Sequence, residues 1–375
     1  MRTAAAALAL LAGAPASAAS VTQAPYGTTK AGEKVTQVTL RNDRGMEVKL
    51  IGLGAILTDI IVPDAAGRRE NVALGFGSLA EYEARNGDYF FGGAVGRYAG
   101  RIAGAGFTLE GKRIALAAND GQNTLHGGPG GFINKVWKVE PFQRGANVGA
   151  VLSYLSPAGE QGFPGNLSVR ITYTLQSDNA LRIDYQATTD APTAVNFTNH
   201  SYFNLAGAGS GTALDHQLRI HSTAILQTAA GGIPTGAMLP VSGTPFDFRR
   251  LSPIRAKMAM RHEQLGDRGL NHSWVLGNRG RLRSAALLRD PASGREMEVL
   301  TTEPSLHAYT AGYFPGTDTG PRGTVYRPFD AIALETQHFP DAPNRRAFPS
   351  TILRPGETWR STTLYRFHAG KPELK

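Results

Sequence analysis

Two neighbouring segments alternate strictly between apolar and polar residues, and this pattern constrains the fold more than any other feature of the chain. Every second residue of Leu167–Leu175 is apolar, and residues 181–185 repeat the alternation after a turn at residues 177–179. A period of two places apolar side chains on one face of a β-strand and polar side chains on the other. The two segments therefore predict an antiparallel hairpin with one buried and one solvent-facing side.

Other segments extend the β pattern. Residues 107–116, with a turn at 110–112, and residues 287–299, with a turn at 290–294, predict two more hairpins. Residues 46–50 predict the strand that opens the mature fold, and residues 60–62 predict a strand that ends at a Pro63-Asp64 turn. Helical signals are short: residues 78–85, with Ser78 as N-cap, and residues 254–264.

The chain shows no βαβ alternation, no short internal repeat and no convincing linker, and its 45 glycines and 22 prolines suit many turns. We therefore expect residues 19–375 to form a single domain. The predicted fold is all-β, a large antiparallel β-sandwich with a few short helices.

The N-terminus has the pattern of a Sec-type signal peptide. Arg2 precedes an Ala/Leu-rich stretch, and Ala16-Ser17-Ala18 is a small-x-small cleavage motif. A membrane anchor is the alternative, but the apolar run is short for a membrane span and is broken by Gly13 and Pro15. We expect residues 1–18 to be removed, with cleavage at or near Ala18, and the protein to be exported to the periplasm without stable membrane insertion.

Composition narrows the chemistry. The chain has no cysteine, which excludes disulfides, thiolate nucleophiles and cysteine metal sites. The formal net charge is +9, but the arginines are scattered and lack the interleaved aromatics of a nucleic-acid binder. A solvated basic surface is the favoured interpretation, attraction to anionic envelope surfaces is the alternative, and no nucleic-acid partner is predicted.

Four stretches concentrate ionisable or amide groups beside glycine or proline, as strand ends and binding loops do. They are residues 96–102, 123–128, 196–207 and 334–344. Glu335 follows an apolar strand, where a carboxylate is costly to bury unless it is paired. His200 and Glu335 form a possible acid/base couple, although their spacing says nothing about their distance and an isolated histidine is more often a core residue.

Other chemistries fit poorly. The chain contains neither an HExxH zinc motif nor a GxSxG nucleophile elbow. His126, His200 and His338 could gather around a metal, but no ligand spacing supports this, and neither a metal nor a cofactor is predicted. The glycines at 207, 209 and 211 lack the βαβ context of a dinucleotide site and indicate a loop.

The polar stretches resemble the aldose 1-epimerase (galactose mutarotase) family, in the family's order across nearly the whole mature chain. The matching motifs are GRYAGRIAGAGFTLEGKRIAL, NTLHGG, GFINKVW, NFTNHSYFNLAG, PTGAMLPVSGTPFDFR, GLNHSWVL, SGREMEVLTTEPSLHAYT and LETQHFPDAPNRRAFPSTILRPGE. The resemblance implies a large β-sandwich with a sugar site in an open cleft.

The resemblance also implies roles for individual residues. His200 would be the general acid, as imidazolium, and Glu335 the general base, as carboxylate. Arg101, His126 and Tyr202 would bind the sugar. The expected reaction interconverts the α- and β-anomers of a free aldose by ring opening and reclosure, without a cofactor. We expect Asn196 and Asn199, in the same stretch as His200, to hold the loop.

Three positions depart from the family pattern. Gly100 replaces an asparagine, Asn271 an aspartate and His307 a glutamine. Asn271 and His307 remain candidate substrate-binding residues. All three lie in the predicted binding shell, so a pentose, a deoxy sugar or an oligosaccharide end stays open beside galactose and glucose.

Three other functions stay open at this point. The first is a non-catalytic exported carbohydrate-binding protein on the same fold. The second is a glycoside-cleaving enzyme, which would need two carboxylates, whereas only Glu335 stands out. The third is an enzyme for phosphorylated sugars, which would need an arginine cluster and conflicts with export. The sequence does not distinguish a monomer from a homodimer.

Overall fold

The computed structural model describes residues 18–277, 280–321 and 323–371. The predicted signal peptide, apart from Ala18, lies outside the described residues. Elsewhere strands dominate. They are β1 (Ser20–Thr28), β2 (Lys34–Arg41), β3 (Glu47–Ile51), β4 (Ile56–Pro63), β5 (Arg69–Asn71), β6 (Ala94–Val95), β7 (Arg101–Ile102), β8 (Gly106–Leu109), β9 (Lys112–Ala115), β10 (Thr124–Leu125), β11 (Lys138–Arg144), β12 (Asn147–Ser156), β13 (Leu167–Leu175), β14 (Ala180–Thr189), β15 (Thr193–Ala194), β16 (Thr198–Asn199), β17 (Tyr202–Phe203), β18 (Gln217–Ile220), β19 (Ala224–Thr228), β20 (Pro234–Pro240), β21 (Ser252–Pro253), β22 (Asn271–Val275), β23 (Arg283–Arg289), β24 (Arg295–Thr301), β25 (Ser305–Tyr309), β26 (Ile332–Gln337), β27 (Ile352–Leu353) and β28 (Trp359–Ala369).

The helices are few and short. The α-helices are α1 (Leu79–Tyr89) and α2 (Ile254–Met258), and single-turn 3-10 helices occur at Ala103–Ala105, Phe132–Asn134, Glu160–Gly162, Ala230–Gly232 and Ala342–Asn344. None of the helices within the described ranges is long and apolar enough to cross a membrane.

Three antiparallel sheets form the body of the fold. A nine-stranded sheet has the order β11-β12-β13-β14-β28-β24-β23-β18-β21, a six-stranded sheet the order β17-β26-β25-β22-β19-β20, and a five-stranded sheet the order β1-β2-β3-β4-β5. Two-stranded ribbons pair β6 with β16, β7 with β10, β8 with β9 and β15 with β27. The predicted all-β antiparallel fold class is confirmed.

One hydrophobic core joins the three sheets. It contains Leu50 of the five-stranded sheet, Ile171 of the nine-stranded sheet and Leu334 of the six-stranded sheet. The Phe203 and Tyr365 rings, from β17 and β28, lie 5.1 Å apart and link the six- and nine-stranded sheets. The six-stranded sheet is therefore supported from behind, which makes it a rigid base for side chains on its other face.

The predicted hairpins are confirmed. Strand β13 pairs with β14, β8 with β9 and β23 with β24, all antiparallel. Along β13 the apolar side chains are buried and Ser168 and Arg170 are exposed, as a strand with one wet face requires. The expectation that residues 46–50 open the mature fold is wrong, because β1 and β2 precede them and build the edge of the five-stranded sheet.

The predicted helices differ in outcome. Ser78 caps α1 by accepting a hydrogen bond from the backbone N–H of Glu81, as predicted, but the helix continues to Tyr89. The second helix was predicted over residues 254–264 and ends at Met258. Residues 259–264 are not helical. The Gln264 side chain accepts a hydrogen bond from the backbone N–H of Thr228 at 2.8 Å, which holds this part of the chain at the end of β19. A five-residue helix without a side-chain cap has little stability of its own.

Candidate active site

A polar cavity of about 570 Å³ lies on the open face of the six-stranded sheet. Strands β22, β25 and β26 contribute one wall, and the loops around residues 88–101, 120–126 and 200 contribute the other. Every predicted site residue lines this cavity: Arg101, His126, His200, Tyr202, Asn271, His307 and Glu335. The fold thus brings all four polar stretches of the sequence to one place.

His200 and Glu335 lie side by side at the buried end of the cavity. The Nε2 atom of His200 is 3.5 Å from Oε1 of Glu335, and the two side chains are 5% and 2% exposed. Glu335 belongs to the fully buried strand β26, and the backbone of His200 bonds to Gly92 and Gly93. Among the described residues, Nδ1 of His200 and Oε2 of Glu335 have no hydrogen-bond partner. Because 3.5 Å exceeds a normal hydrogen bond and both residues line the cavity, Nε2 of His200 and Oε1 of Glu335 remain available to a ligand.

Burial shifts both groups toward their neutral forms. Burial raises the pKa of the Glu335 carboxyl to about 8, and the nearby positive charge of Arg101 opposes this rise. Burial also lowers the pKa of the His200 imidazole to about 4. Between these values the pair carries one exchangeable proton, and burial favours the neutral pair over the ion pair expected from the sequence.

His126 is held by the backbone of Gly100. The backbone N–H of Gly100 donates to the ring nitrogen Nδ1 of His126 at 3.2 Å. The backbone N–H of His126 donates to the Gly100 carbonyl at 3.1 Å. In the neutral ring this leaves the proton on Nε2, which makes that nitrogen a donor. His126 is in the left-handed region with φ 51°, and a Cβ on the following Gly127 would lie 2.0 Å from the Gly96 carbonyl oxygen. The close approach explains the glycine after the histidine in this motif.

The same geometry suits Gly100, one of the positions that the sequence analysis set apart from the expected family pattern. Its φ is 77°, a left-handed value that glycine and asparagine adopt more readily than other residues. The contact with His126 uses only the Gly100 backbone, so it does not depend on the side chain. With glycine at this position no amide side chain enters the cavity, and the backbone contact with His126 is present.

Arg101 is anchored by a residue that the sequence reasoning did not single out. Its Nε donates to Oδ2 of Asp120 at 2.7 Å, and its side chain is 23% exposed. The ion pair fixes one edge of the guanidinium and leaves the other nitrogens for the cavity. No sequence signal marked Asp120, because its contact with Arg101 arises from the pairing of β7 with β10.

His307 and Asn271, two of the positions that depart from the expected family pattern, are hydrogen-bonded to each other. His307 Nε2 lies 2.8 Å from Oδ1 of Asn271, and His307 Nδ1 lies 2.9 Å from Oγ of Ser273. Because the amide oxygen can only accept, His307 donates from Nε2 and accepts from the Ser273 hydroxyl. Burial, then the charges of neighbouring His272, Arg101 and His200, lower the pKa of His307 to about 3. Asn271 therefore offers its amide N–H groups to a ligand.

Tyr202 closes the cavity beside His200. The two rings lie 4.8 Å apart, and Tyr202 also packs on the Phe91 and Phe314 rings at 5.2 Å each. Its side chain is 3% exposed. Tyr202 is thus partly a core residue, and only its cavity-facing side can meet a ligand.

Two histidines and one carboxylate lie close enough together to be considered as ligands of a metal ion. Ligand atoms of His126, His200 and Glu335 lie within 4.8 Å of one another. A metal at Nε2 of His126 would need that nitrogen free of its proton, in conflict with the Gly100 N–H bonded at Nδ1. His338, also considered from the sequence, pairs through Nδ1 with the Glu303 carboxylate instead. The donor set favours hydrogen bonding over metal ligation.

Asn196 and Asn199 hold the loop that carries His200. Asn196 Nδ2 donates to the Ala99 carbonyl at 2.9 Å, and its Oδ1 accepts from the His338 N–H at 2.8 Å. Asn199 Nδ2 donates to the Gly92 carbonyl at 2.7 Å. Both residues are buried, and their contacts agree with the expected loop-fixing role.

Sequence reasoning also missed Gln337 and Phe90. Gln337 is 1% exposed, lines the cavity and has no partner for Oε1 in the described part of the chain. Its position two residues after Glu335 on one strand is a period-two signal that could have identified it. Phe90 packs on His126 at 4.7 Å and on His200 at 5.9 Å, a contact made after the end of α1 that no sequence pattern marked.

Together these features define an all-β protein with a buried histidine–carboxylate pair at the base of an open, polar cleft. The donors around the pair suit a small hydroxyl-rich ligand.

Comparison with known proteins gives the family. The family model described as aldose 1-epimerase matches residues 36–366, and the chain belongs to this family. It is 39% identical to the galactose mutarotase of Sus scrofa over 349 residues, which cover 93% of this chain and 98% of the relative. It is 37% identical to the aldose 1-epimerase of Escherichia coli K12 over 342 residues, which cover 90% and 96%.

Solved structures agree with the fold. The galactose 1-epimerase of Lactobacillus acidophilus superposes with a TM-score of 0.83 at 29% identity, covering 94% of this chain and all (100%) of the other. The aldose epimerase homologue of C. elegans superposes with a TM-score of 0.79 at 28% identity, covering 94% and 100%. The chain thus has the galactose mutarotase fold.

Proposed function

We propose that this protein is an aldose 1-epimerase, an isomerase that interconverts the α- and β-anomers of a free aldose. Membership of the aldose 1-epimerase family and the names of its relatives support this function. The observation that carries it is the buried pair at the base of the cleft, with His200 Nε2 3.5 Å from Glu335 Oε1. An acid and a base at this separation can act on two oxygens bonded to the same carbon.

The anomeric carbon of a pyranose bears two such oxygens, the hydroxyl and the ring oxygen. In the proposed mechanism Glu335, as carboxylate, removes the proton of the anomeric hydroxyl, and His200, as imidazolium, protonates the ring oxygen. The ring opens to the aldehyde, which rotates about its first carbon–carbon bond. It then closes from the other face with the roles reversed. Each proton transfer contributes roughly 10²–10⁴ in rate.

This mechanism needs only one proton on the pair. The neutral pair that burial favours carries the same number of protons as the reactive ion pair, so the change between them is a transfer across 3.5 Å. The positive charge of Arg101 favours the carboxylate form of Glu335 and so supports the reactive arrangement. No net uptake or release of protons accompanies the reaction.

The other cavity residues would hold the sugar hydroxyls. Arg101 and His126 offer N–H donors on one side, and Asn271, held by His307, offers an amide on the other. The Tyr202 ring would form the edge of the sugar site beside His200. The relatives named for galactose suggest a hexose, and the Asn271–His307 pair would set which aldose is preferred.

The remaining predictions belong to the same proposal. Residues 1–18 would direct export to the periplasm and be removed, and residues 19–375 would act as one functional unit. The joint core of the three sheets supports the latter, since it extends from Val38 to Phe367. The partner would be a small-molecule sugar.

Polarimetry tests the proposal directly. The chain from residue 19 is added to freshly dissolved α-D-glucose and α-D-galactose in weakly catalytic buffer, and the approach to equilibrium rotation is followed. We expect acceleration over buffer that is lost in Glu335→Gln. Sugar binding without acceleration would instead support a non-catalytic carbohydrate-binding protein.

A further inference from the structure

An exposed tyrosine stands at the rim of the cleft. Tyr313 is 61% exposed and lines the cavity. Among the large hydrophobic side chains that are exposed in the described residues, it is the only aromatic one; the others are Leu155, Met238, Met260 and Leu282. Single exposed apolar residues are common, but a tyrosine facing a polar cleft offers a flat apolar face together with a polar tip.

Tyr313 ends a series of rings that leads out from the catalytic pair. The His200 ring is 4.8 Å from Tyr202, Tyr202 is 5.9 Å from Tyr309, and Tyr309 is 6.1 Å from Tyr313. Exposure rises along this series from the buried Tyr202, through the half-buried Tyr309, to Tyr313. Two rings therefore separate Tyr313 from the imidazole that would act on the reducing sugar.

Hydrogen bonds and packing hold Tyr313 in place at the rim of the cleft. The backbone N–H of Tyr313 donates to the Tyr309 hydroxyl at 3.0 Å. The Arg268 guanidinium lies over the Tyr313 ring at 5.5 Å, and its Nη1 donates to the Gly312 carbonyl at 3.2 Å. Arg268 thus places further N–H donors beside the exposed ring. A fixed aromatic face beside fixed donors is suited to a ligand that is apolar on one face and polar at its edge.

The size of the cavity points the same way. Its volume of about 570 Å³ is in the range of pockets that hold drug-sized ligands, which are larger than one monosaccharide. A sugar ring seated on the His200–Glu335 pair would leave the outer part of the cleft, toward Tyr313, for another group.

We propose that Tyr313, with Arg268, forms a second sugar-binding position, so that the cleft accepts the reducing end of an oligosaccharide. The next ring would stack its apolar C–H face on Tyr313, and its hydroxyls would accept from Arg268. This inference deepens the proposed epimerase function and rests on it for the placement of the reducing ring.

The test compares a disaccharide with the monosaccharide at its reducing end. Calorimetric binding and mutarotation rates are measured for glucose and for lactose, maltose and cellobiose, all of which end in glucose. We expect Tyr313→Ala to lower the disaccharide-to-glucose ratio of both affinity and kcat/KM by about tenfold. Tyr313→Trp should keep the ratio because it keeps an aromatic face. Leu155→Ala, which removes a side chain of similar exposure (60%) outside the cavity, is the matched control.

The outcomes separate the two claims. If Tyr313→Ala lowers affinity for glucose and the disaccharides equally, or leaves every ratio unchanged, the second position is refuted. If the wild-type protein binds no disaccharide more tightly than glucose, it is also refuted. If no sugar is epimerised but disaccharide binding still depends on Tyr313, the epimerase proposal fails while the second position stands.

Discussion

Nε2 of His200 lies 3.5 Å from Oε1 of Glu335 in a site where both side chains are almost fully buried, although the two residues are far apart in the chain. The sheet makes this contact: β26 carries Glu335, and its neighbour β17 begins two residues after His200. The distance exceeds a normal hydrogen bond, so neither group is committed to the other. Each remains available to a sugar oxygen.

Removal of either member of the pair should abolish most catalysis. We expect Glu335→Gln and His200→Asn each to reduce kcat by roughly 10²–10⁴, because each removes one proton transfer. Steady-state polarimetry measures kcat, and circular dichroism checks that the variants are folded. His368→Asn, at an exposed histidine of β28, is the control and should keep full activity. Wild-type rates in either site variant would refute the acid/base assignment.

The pH dependence should be bell-shaped. The active enzyme carries one proton on the pair. Either His200 and Glu335 are both neutral, or His200 is the imidazolium and Glu335 the carboxylate. Below about pH 4 His200 gains a second proton and the base is lost. Above about pH 8 Glu335 loses the shared proton and the acid is lost. The kcat/KM profile of the free enzyme should show both limbs. A rate that still rises through pH 9 would contradict this assignment.

Glu335 should destabilise the fold at alkaline pH. Its folded pKa of about 8 lies above the usual value near 4.3, so between these values the folded state binds more protons than the unfolded state. The free energy of unfolding therefore falls as pH rises through this window. We expect Glu335→Gln to exceed the wild-type Tm by roughly 2–4 °C at pH 8.5 and by less at pH 5. Thermal unfolding at both values measures this, and an equal difference at both would contradict it.

Asn271 should control affinity for sugar hydroxyls. Its Oδ1 accepts from His307, so its amide N–H groups are what a ligand meets. Asn271→Asp replaces these donors with an acceptor, and we expect KM for α-D-galactose to rise by about tenfold, with kcat little changed. Asn271→Leu, which removes both donor and acceptor, should also raise KM. A lower KM in Asn271→Asp would show that the sugar donates to this position and would contradict the assignment.

Replacing Asn196 should mainly lower the free energy of unfolding. Its amide joins the Ala99 and His338 backbones, and its side chain is fully buried. Asn196→Ala leaves those backbone groups unsatisfied, so we expect a loss of about 2–4 kcal/mol in the free energy of unfolding. Denaturant titration measures the loss. Asn166→Ala, at an exposed asparagine, should lose less than half as much.

The local pattern of the chain predicted a large part of this molecule. The hairpins of β13–β14, β8–β9 and β23–β24 follow from alternation and turn residues, which act over a few residues. The cap at Ser78 is equally local. The second helix failed because a distant contact, from Gln264 to Thr228, outweighed a weak local preference. Export remains a prediction, since the leader lies outside the described residues.

The sequence by itself determined which side chains are available for chemistry and which segments are strands, because both are properties of single residues and their near neighbours. Only the tertiary structure decided that Glu335 meets His200, that Asn271 gives its carbonyl to His307, and that Asp120 holds Arg101. These relations depend on sheet order and register, which arise from burying the apolar faces of strands distant in sequence. Burial itself then set the protonation of the pair, because the cost of a charge depends on its surroundings and not on its place in the chain.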